Sequence, residues 1–263
     1  MLNNELTVIF CTCDAYEDLW QNFFMLLKKY WPEFDGEIIL NTETKAFEYE
    51  GLKISEPLNC PKETSWSDRL SLSLKKVKTP YVLIMLDDFY LKAPVENSNF
   101  IATLNYMDRN PTVASVTYLC EPGAKTSKTG LDGFYYRSQF SLYKMTAHIT
   151  LYRKDYLLSV LRKNESAWEF EVSGTVRSWF KRGKFLCPKD NSLDIFPYDF
   201  GSLVLRGNFV RTVKEYFENN EGCIFTKERP LMEKIEFKAP GNFLKKFKYF
   251  IKGFLSIFKD KAL

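Results

Sequence analysis

From its amino end, the chain alternates short apolar runs with longer stretches in which apolar residues recur every three or four positions. Leu6–Cys13 (L-T-V-I-F-C-T-C) is the first run, with the length and composition of a strand. Residues 17–30 then place apolar side chains at 19, 20, 23, 24, 26 and 27, one stripe of a helix that Trp31-Pro32 brings to an end. After Asp35-Gly36, the run G-E-I-I-L predicts a second strand that leads into Asn41-Thr42-Glu43. Strand, short amphipathic helix and strand in this order build right-handed parallel sheet. Tyr49–Ile54 predicts a further short strand. A helix is expected from Ser65 to Lys78, with Leu70, Leu74 and Val77 turned inward and Ser65 or Ser67 as its cap.

Thr79–Leu91 (T-P-Y-V-L-I-M-L-D-D-F-Y-L) is the stretch around which the rest is organised. Tyr81 to Leu86 is unbroken apolar sequence, and a strand apolar on both faces belongs in the middle of a covered, mostly parallel sheet. Asp87 and Asp88 follow, and then Phe89, Tyr90 and Leu91, where a surface turn carries Gly, Asn or Pro. Two carboxylates wedged between apolar segments repel each other and lose hydration, so they call for a cation or for hydrogen-bond donors. Ligands of open α/β sheets bind at the carboxyl ends of the strands. The pair therefore reads either as the metal and diphosphate end of an active site or as an Asp pair capping a loop. Asp14 and Asn41, expected at the same sheet edge, weight the first reading.

Further along, a helix is expected over residues 99–109 and a strand over 113–119. Residues 121–133, with Gly123, Gly130 and Gly133, predict a flexible loop, a candidate lid. Residues 140–152 alternate loosely and hold His148, the single histidine, which reads as a structural hydrogen-bonder rather than a base. A short helix over 155–161 precedes A-W-E-F-E-V-S-G-T-V-R-S-W-F-K-R (167–182), a helix with Glu169 and Glu171 in its first turn and Trp168 beside them. The helix dipole alone favours carboxylates there, and the functional alternative is a general base that projects into a pocket. Residues 186–211 read as short strands and turns around Tyr198-Asp199-Phe200-Gly201, with Arg206-Gly207 near their end.

Composition narrows the classes. The chain has 263 residues, 45% of them hydrophobic, with 23 Phe and 15 Tyr, enough for a sizeable core and against disorder. Net charge is +4, but the last 22 residues hold six Lys against one Asp, so the body is close to neutral. That argues against a nucleic-acid-binding body. The six cysteines are scattered without a C-x-x-C pair, so no zinc site of Cys/His type is expected. Cys11 and Cys13 point to the same side of a strand and are too far apart to bridge easily. The amino terminus lacks the basic start and apolar core of a signal peptide, and no apolar run reaches the ~18 residues that span a bilayer. A reduced, cytosolic compartment is expected.

The tail from residue 242 carries the clearest periodicity, with apolar residues at 243, 244, 247, 250, 251, 254, 255 and 258 and lysines at 245, 246, 248, 252 and 259. An apolar aromatic stripe with a basic rim describes a helix lying in the plane of a membrane. The rival is a helix docked on the protein's own body, and the one-sided charge favours the membrane.

The order D-A-Y-E-D-L-W, W-S-D-R-L, Y-V-L-I-M-L-D-D-F-Y-L and W-E-F-E-V-S-G-T-V-R-S resembles bacterial glycosyltransferases of the GT-A fold, of the kind that builds capsule, O-antigen or other surface polysaccharide. The likeness covers about Leu6 to Arg211. It implies an α/β, Rossmann-like, mostly parallel sheet with helices on both faces over residues 1–230, followed by a linker and basic helix over 231–263. Thr12 and Asp14 then stand where the nucleobase and ribose are held, and Asn41 where the base is contacted. Trp66 and Arg69 open the helix toward the nucleotide sugar. Asp87 and Asp88 stand where such enzymes hold Mg²⁺ or Mn²⁺, here without the usual spacer between the carboxylates. Glu171, or else Glu169, matches the base of inverting members. The implied partners are a nucleotide-sugar donor, a glycan or lipid-linked acceptor, and the inner leaflet of the plasma membrane through 242–263. A nucleotidyltransferase and a non-catalytic membrane scaffold are the rival readings. The first lacks the expected glycine- and basic-rich loop after the first strand.

Overall fold

The computed structural model describes residues 4–120, 123, 125–198, 202–233 and 243–258, with 243–246 as backbone only. The fold is the α/β class expected, built on one nine-stranded sheet. In its first half, β1 (Leu6–Cys11) is flanked in parallel by β2 (Glu37–Asn41) and β4 (Tyr81–Leu86), with β3 (Lys53–Ile54) added beyond β2. On the other side of β4 lies β8 (Thr150–Arg153), which runs antiparallel to β4 and to β5 (Val113–Thr117). Next come β9 (Lys184–Pro188), parallel to β5, and the edge strands β7 (Phe134–Arg137) and β6 (Lys125–Lys128). Only β7 and β8 run against the common direction.

The sheet divides two cores because successive strand residues face opposite sides. On β1, Leu6, Val8 and Phe10 enter one core and Ile9 and Cys11 the other; on β4, Tyr81, Leu83 and Met85 oppose Val82 and Ile84. The first core is covered by α1 (Trp20–Tyr30), α3 (Asn97–Arg109) and α6 (Arg211–Glu221), through Phe23, Phe24, Phe100, Leu104 and Phe217. The second is covered by α2 (Trp66–Lys76), α4 (Lys154–Val160) and α5 (Ala167–Trp179), through Leu70, Leu74, Leu157 and Phe170. Beyond the sheet, β10 (Val204–Leu205) and β11 (Asn208–Val210) form a small hairpin that β12 (Leu231–Met232) joins in parallel.

Three local expectations change. The first strand ends at Cys11, because residues 12 and 13 turn out toward the sheet edge, and a 3-10 turn over Asp14–Leu19 precedes α1. Residues 125–128, expected inside a flexible loop, pair with β7 as an edge hairpin, while 121, 122 and 124 lie outside the described residues. Residues 140–149 do not form strand. The buried Arg137 guanidinium donates to the carbonyls of Leu142 and Tyr143 (2.8 Å for Tyr143) and to Ser141 Oγ (3.3 Å), so this segment wraps around a cation that must be satisfied out of water. The turn expected around 198–201 has residues 199–201 outside the described ones.

The tail helix α7 (Phe243–Leu255) has two faces. One lies on α5: Gly253 is buried there, and a Cβ on it would come 2.8 Å from the Ser173 Cα. Ser173 Oγ donates to the Tyr249 carbonyl (2.8 Å), and Arg177 Nη1 to Ser256 Oγ (3.2 Å). The other face leaves Phe247, Ile251, Phe254 and Leu255 exposed, and Phe258 just beyond the helix is exposed too. Docking on the body and an apolar outer face are thus both present in one helix. No helix among the described residues is long and apolar enough to cross a membrane.

Beneath this contact, Arg177 and Glu165 form a fully buried pair, with Nη1–Oε1 2.9 Å and Nη2–Oε2 2.7 Å, while Arg177 Nε donates to the Val160 carbonyl (2.7 Å). Removing one partner of such a pair strands the other charge. Glu165→Ala is therefore expected to lower stability by about 3–5 kcal/mol and Glu165→Gln by less, read as unfolding midpoints in denaturant. Equal midpoints for Glu165→Ala and the parent chain would contradict this account.

Candidate functional site

A cleft of about 500 Å³ opens at the carboxyl ends of β1 and β4. Its floor is Cys11, Thr12, Cys13 and Leu86–Phe89, and its walls include Trp66 and Arg69 of α2, Ala147-His148, Trp168 and Glu171 of α5, and Ser202 with Val204–Gly207 of the small hairpin. A larger hollow of about 860 Å³ lies against α1, lined by Asp14, Asp18 and Lys227, and does not reach the carboxylates of β4.

Asp87 sits at the end of the central strand with only 9% of its surface exposed. The parallel pairing of β1 with β4 puts Cys11 beside Leu86, so the residues that follow, Thr12 and Asp87, leave the sheet side by side. Thr12 Oγ1 donates to Asp87 Oδ2 in a short hydrogen bond, and Trp20 Nε1 donates to the same Thr12 oxygen (2.7 Å). Asp88 is held through both backbone and side chain: Leu203 N donates to its carbonyl (2.8 Å), and Ser202 bonds its carboxylate. Burial, and then the charge of Asp88, push the Asp87 carboxyl well above the ordinary range against the pull of Thr12. Burial likewise raises Asp88, to about 7. Hard carboxylate oxygens crowded in this way suit a divalent cation of the Mg²⁺ or Mn²⁺ type. Among the described residues, no group of three or more His, Cys, Asp or Glu side chains gathers as a ready-made metal cage.

Arg69 reaches the cleft already neutralised. Its Nη1 pairs closely with the buried Glu43, and its Nη2 donates to the Thr12 carbonyl (3.3 Å). Glu43 in turn accepts the Asp14 backbone N–H (2.7 Å). Asp14 itself turns away from the cleft to organise residues 42–45. It accepts from the hydroxyls of Thr42 (2.7 Å) and Thr44 (2.6 Å) and from the backbone N–H of Thr44 and Lys45. Partial burial pushes its carboxyl up, but the Thr44 and Thr42 bonds outweigh that and hold it well below the ordinary range. Asn41 is buried under the sheet edge with its Nδ2 toward Cys11 Sγ (3.6 Å), and it does not line the cleft. Of the polar positions expected at this edge, the structure thus brings together Thr12, Trp66, Arg69, Asp87 and Asp88, and leaves Asp14 and Asn41 in supporting places.

The two glutamates of α5 separate by face. Glu169 closes a capping box with Ser166 and pairs with Lys252 of α7 (3.2 Å). Glu171 points into the cleft, where its Oε1 accepts the Ala147 N–H (3.0 Å). Trp168, one helical turn before Glu171, stands 70% exposed at the rim. His148, read from the sequence as structural, lies in the cleft wall, because β8 runs antiparallel and delivers the segment before it to this edge. Tyr16, Ser202 and Arg206-Gly207 also line the cleft without any sequence signal that placed them there. Tyr16 comes from the 3-10 turn after β1, and the others arrive with a hairpin more than a hundred residues after β4.

Fold and cleft together define an α/β protein with a carboxylate-floored ligand site at the ends of its parallel strands. No protein-family model matches the chain, and no curated protein does. Among solved structures it is similar to residues 1–349 of S. aureus TarS, at 12% identity and TM-score 0.44 over 70% of this chain and 60% of that one. It is also similar to the glucosyl-3-phosphoglycerate synthase of Mycobacterium tuberculosis, at 9% identity and TM-score 0.42 over 68% and 66% of the two chains. A mycobacterial protein gives 11% identity and TM-score 0.47 over 88% and 85%. The functional reading rests on this chain's own residues.

A carboxyl with a raised folded-state pKa binds its proton more readily in the folded than in the unfolded chain. Its contribution to stability is present below the ordinary carboxylate range and is lost as pH rises toward the folded value. With divalent ions chelated, the melting temperature is expected to fall between about pH 4 and the Asp88 value of about 7. Asp88→Asn is expected to flatten that fall and to melt higher than the parent chain above it, measured by calorimetry across pH. A lower melting temperature for Asp88→Asn at neutral pH would refute the charge-crowding account.

Proposed function

We propose that the protein is a glycosyltransferase that moves a sugar from a nucleotide-sugar donor to a hydroxyl of a glycan acceptor, lipid-linked, in cell-surface polysaccharide synthesis. The observation that carries this reading is the convergence of the Asp87–Asp88 pair and Glu171 on one cleft. In this assignment, Thr12, Trp66 and Arg69 hold the nucleotide sugar, and Asp14 and Asn41 act from behind by fixing the loops that shape its site. Asp88 and Asp87 would hold Mg²⁺ or Mn²⁺, which would supply positive charge to neutralise the diphosphate leaving group.

Glu171 takes the proton of the acceptor hydroxyl as that oxygen attacks the anomeric carbon. The bond from that carbon to the β-phosphate oxygen breaks, its electron pair leaves with the nucleoside diphosphate, and attack from the far face inverts the configuration. Glu169, engaged by Ser166 and Lys252, is the less suitable base. Trp168 at the rim offers a flat apolar surface for an acceptor sugar.

The outer face of α7 supports a peripheral place on the inner leaflet of the plasma membrane. Its exposed Phe247, Ile251, Phe254 and Leu255, with Phe258 just beyond the helix, lie among lysines without acidic residues between 243 and 258, a composition that favours an anionic surface.

A thermal-shift screen of nucleotide sugars with and without Mn²⁺ is expected to find one donor that raises the melting temperature. Glu171→Gln is then expected to retain that shift and to lose turnover by about 10²–10⁴-fold. The absence of both a shift and turnover across the panel would favour the scaffold reading, and transfer of a nucleotidyl group in place of the sugar would favour the nucleotidyltransferase. For the membrane surface, the parent chain is expected to float with anionic phospholipid vesicles and the double variant Phe247→Glu, Phe258→Glu to remain in solution. Equal flotation of the two would remove α7 from that role.

A further inference from the structure

Arg206 combines three features that no other cation of the cleft shares. It stands at the tip of the β10–β11 hairpin with φ +54°, followed by Gly207 at φ +83°. Positive φ at both central residues is the type I′ geometry, which Asn-Gly occupies at little cost and an arginine does not. Of the other non-glycine residues at positive φ, Asn59 and Asn164 are asparagines, which tolerate this region, and the Tyr143 carbonyl is held by Arg137. An arginine kept in an unfavourable backbone conformation on a solvent-exposed tip is an outlier that asks for a reason.

The second feature is where the hairpin is anchored. Leu203 N donates to the Asp88 carbonyl (2.8 Å), Val210 N closes back on the Leu203 carbonyl (2.9 Å), and Ser202 bonds the Asp88 carboxylate. Arg206 is three residues beyond Leu203, at most about 11 Å of extended chain, so the hairpin projects it over the acidic end of β4, and it lines the same cleft.

The third is its lack of a partner. Among the described residues no hydrogen bond or ion pair engages the Arg206 guanidinium, whereas Arg69 is neutralised by Glu43 and Arg229 by Asp18. The turn is not forced by crowding either, because a Cβ at Gly207 would meet nothing within 4 Å.

We infer that Arg206 binds the diphosphate of a nucleoside diphosphate or its sugar ester, approaching the phosphates from the hairpin side of the cleft that the Asp87–Asp88 end also lines. A planar guanidinium presents paired N–H donors that match phosphate oxygens. The inference rests on the nucleotide-sugar reading and adds to it a residue from outside the sheet edge.

Opposite effects on stability and affinity at the one position test it. Arg206→Asn makes the hairpin tip Asn-Gly and is expected to raise the melting temperature by a few degrees. It is also expected to weaken calorimetric binding of a nucleoside diphosphate by ~10–100-fold, with the matching nucleoside, which lacks phosphates, bound as before. Arg206→Lys is expected to recover part of the affinity. Unchanged diphosphate affinity in Arg206→Asn, alongside binding by the parent chain, would overturn this inference and leave the proposed function standing. Failure of the parent chain to bind any of UDP, GDP, ADP, TDP or CDP would overturn both.

Discussion

The structure turns on two carboxylates held side by side at the end of its central strand, where burial and mutual repulsion both oppose their charge. Nothing within β4 makes that tolerable. The parallel neighbour β1 supplies Thr12 to Asp87, α1 supplies Trp20 to Thr12, and a hairpin far along the chain supplies Leu203 N and Ser202 to Asp88. Each contact comes from a different part of the fold, so the acidic end acts as a meeting point that fixes where those parts stand. That cost is kept at the open end of the sheet, the position where α/β folds bind ligands.

Helix α5 is the second organising element, because its faces serve different ends. Trp168 and Glu171 turn to the cleft, while Glu169, Ser173 and Arg177 turn to α7. The buried Glu165–Arg177 pair lies under the second face and fixes the helix to the start of its own connection. On the proposed reading, the helix that carries the base is bolted to the helix that meets the membrane. A rigid link of this kind sets the orientation of the cleft relative to a lipid-linked acceptor, and orientation is a large part of what an enzyme contributes to a two-substrate reaction.

Much of this was legible in the residues alone. The run Tyr81–Leu86 is apolar on both faces because both faces are covered, so its central place could be read without a partner. The stripe at 19, 20, 23, 24, 26 and 27 specified α1 in the same way. Capping chemistry is equally local: Ser65, one of the two serines expected as the cap, opens α2 through Asp68 N. Where local pattern misled, a long-range contact had intervened. Residues 140–149 alternate like a strand, yet they wrap Arg137, whose charge must be satisfied once buried. Asp14 looked like a ligand group, yet it is consumed by the loop after β2.

By itself, then, the sequence determined the α/β class, the buried strand with its acidic end and the tail helix, because each is written in spacing and residue type. Tertiary structure alone put Glu171 in the cleft and Glu169 against Ser166 and Lys252, since residues two apart in sequence fall on different sides of one helix. It alone gave α7 both a docked and an exposed face, since a periodic stripe states that a helix has an apolar side but not how much of that side another helix will cover. And it alone brought Arg206 to the acidic end of β4. A hairpin's destination depends on which strand edge accepts its backbone hydrogen bonds, and that is a property of the assembled sheet rather than of the seven or eight residues that form the hairpin.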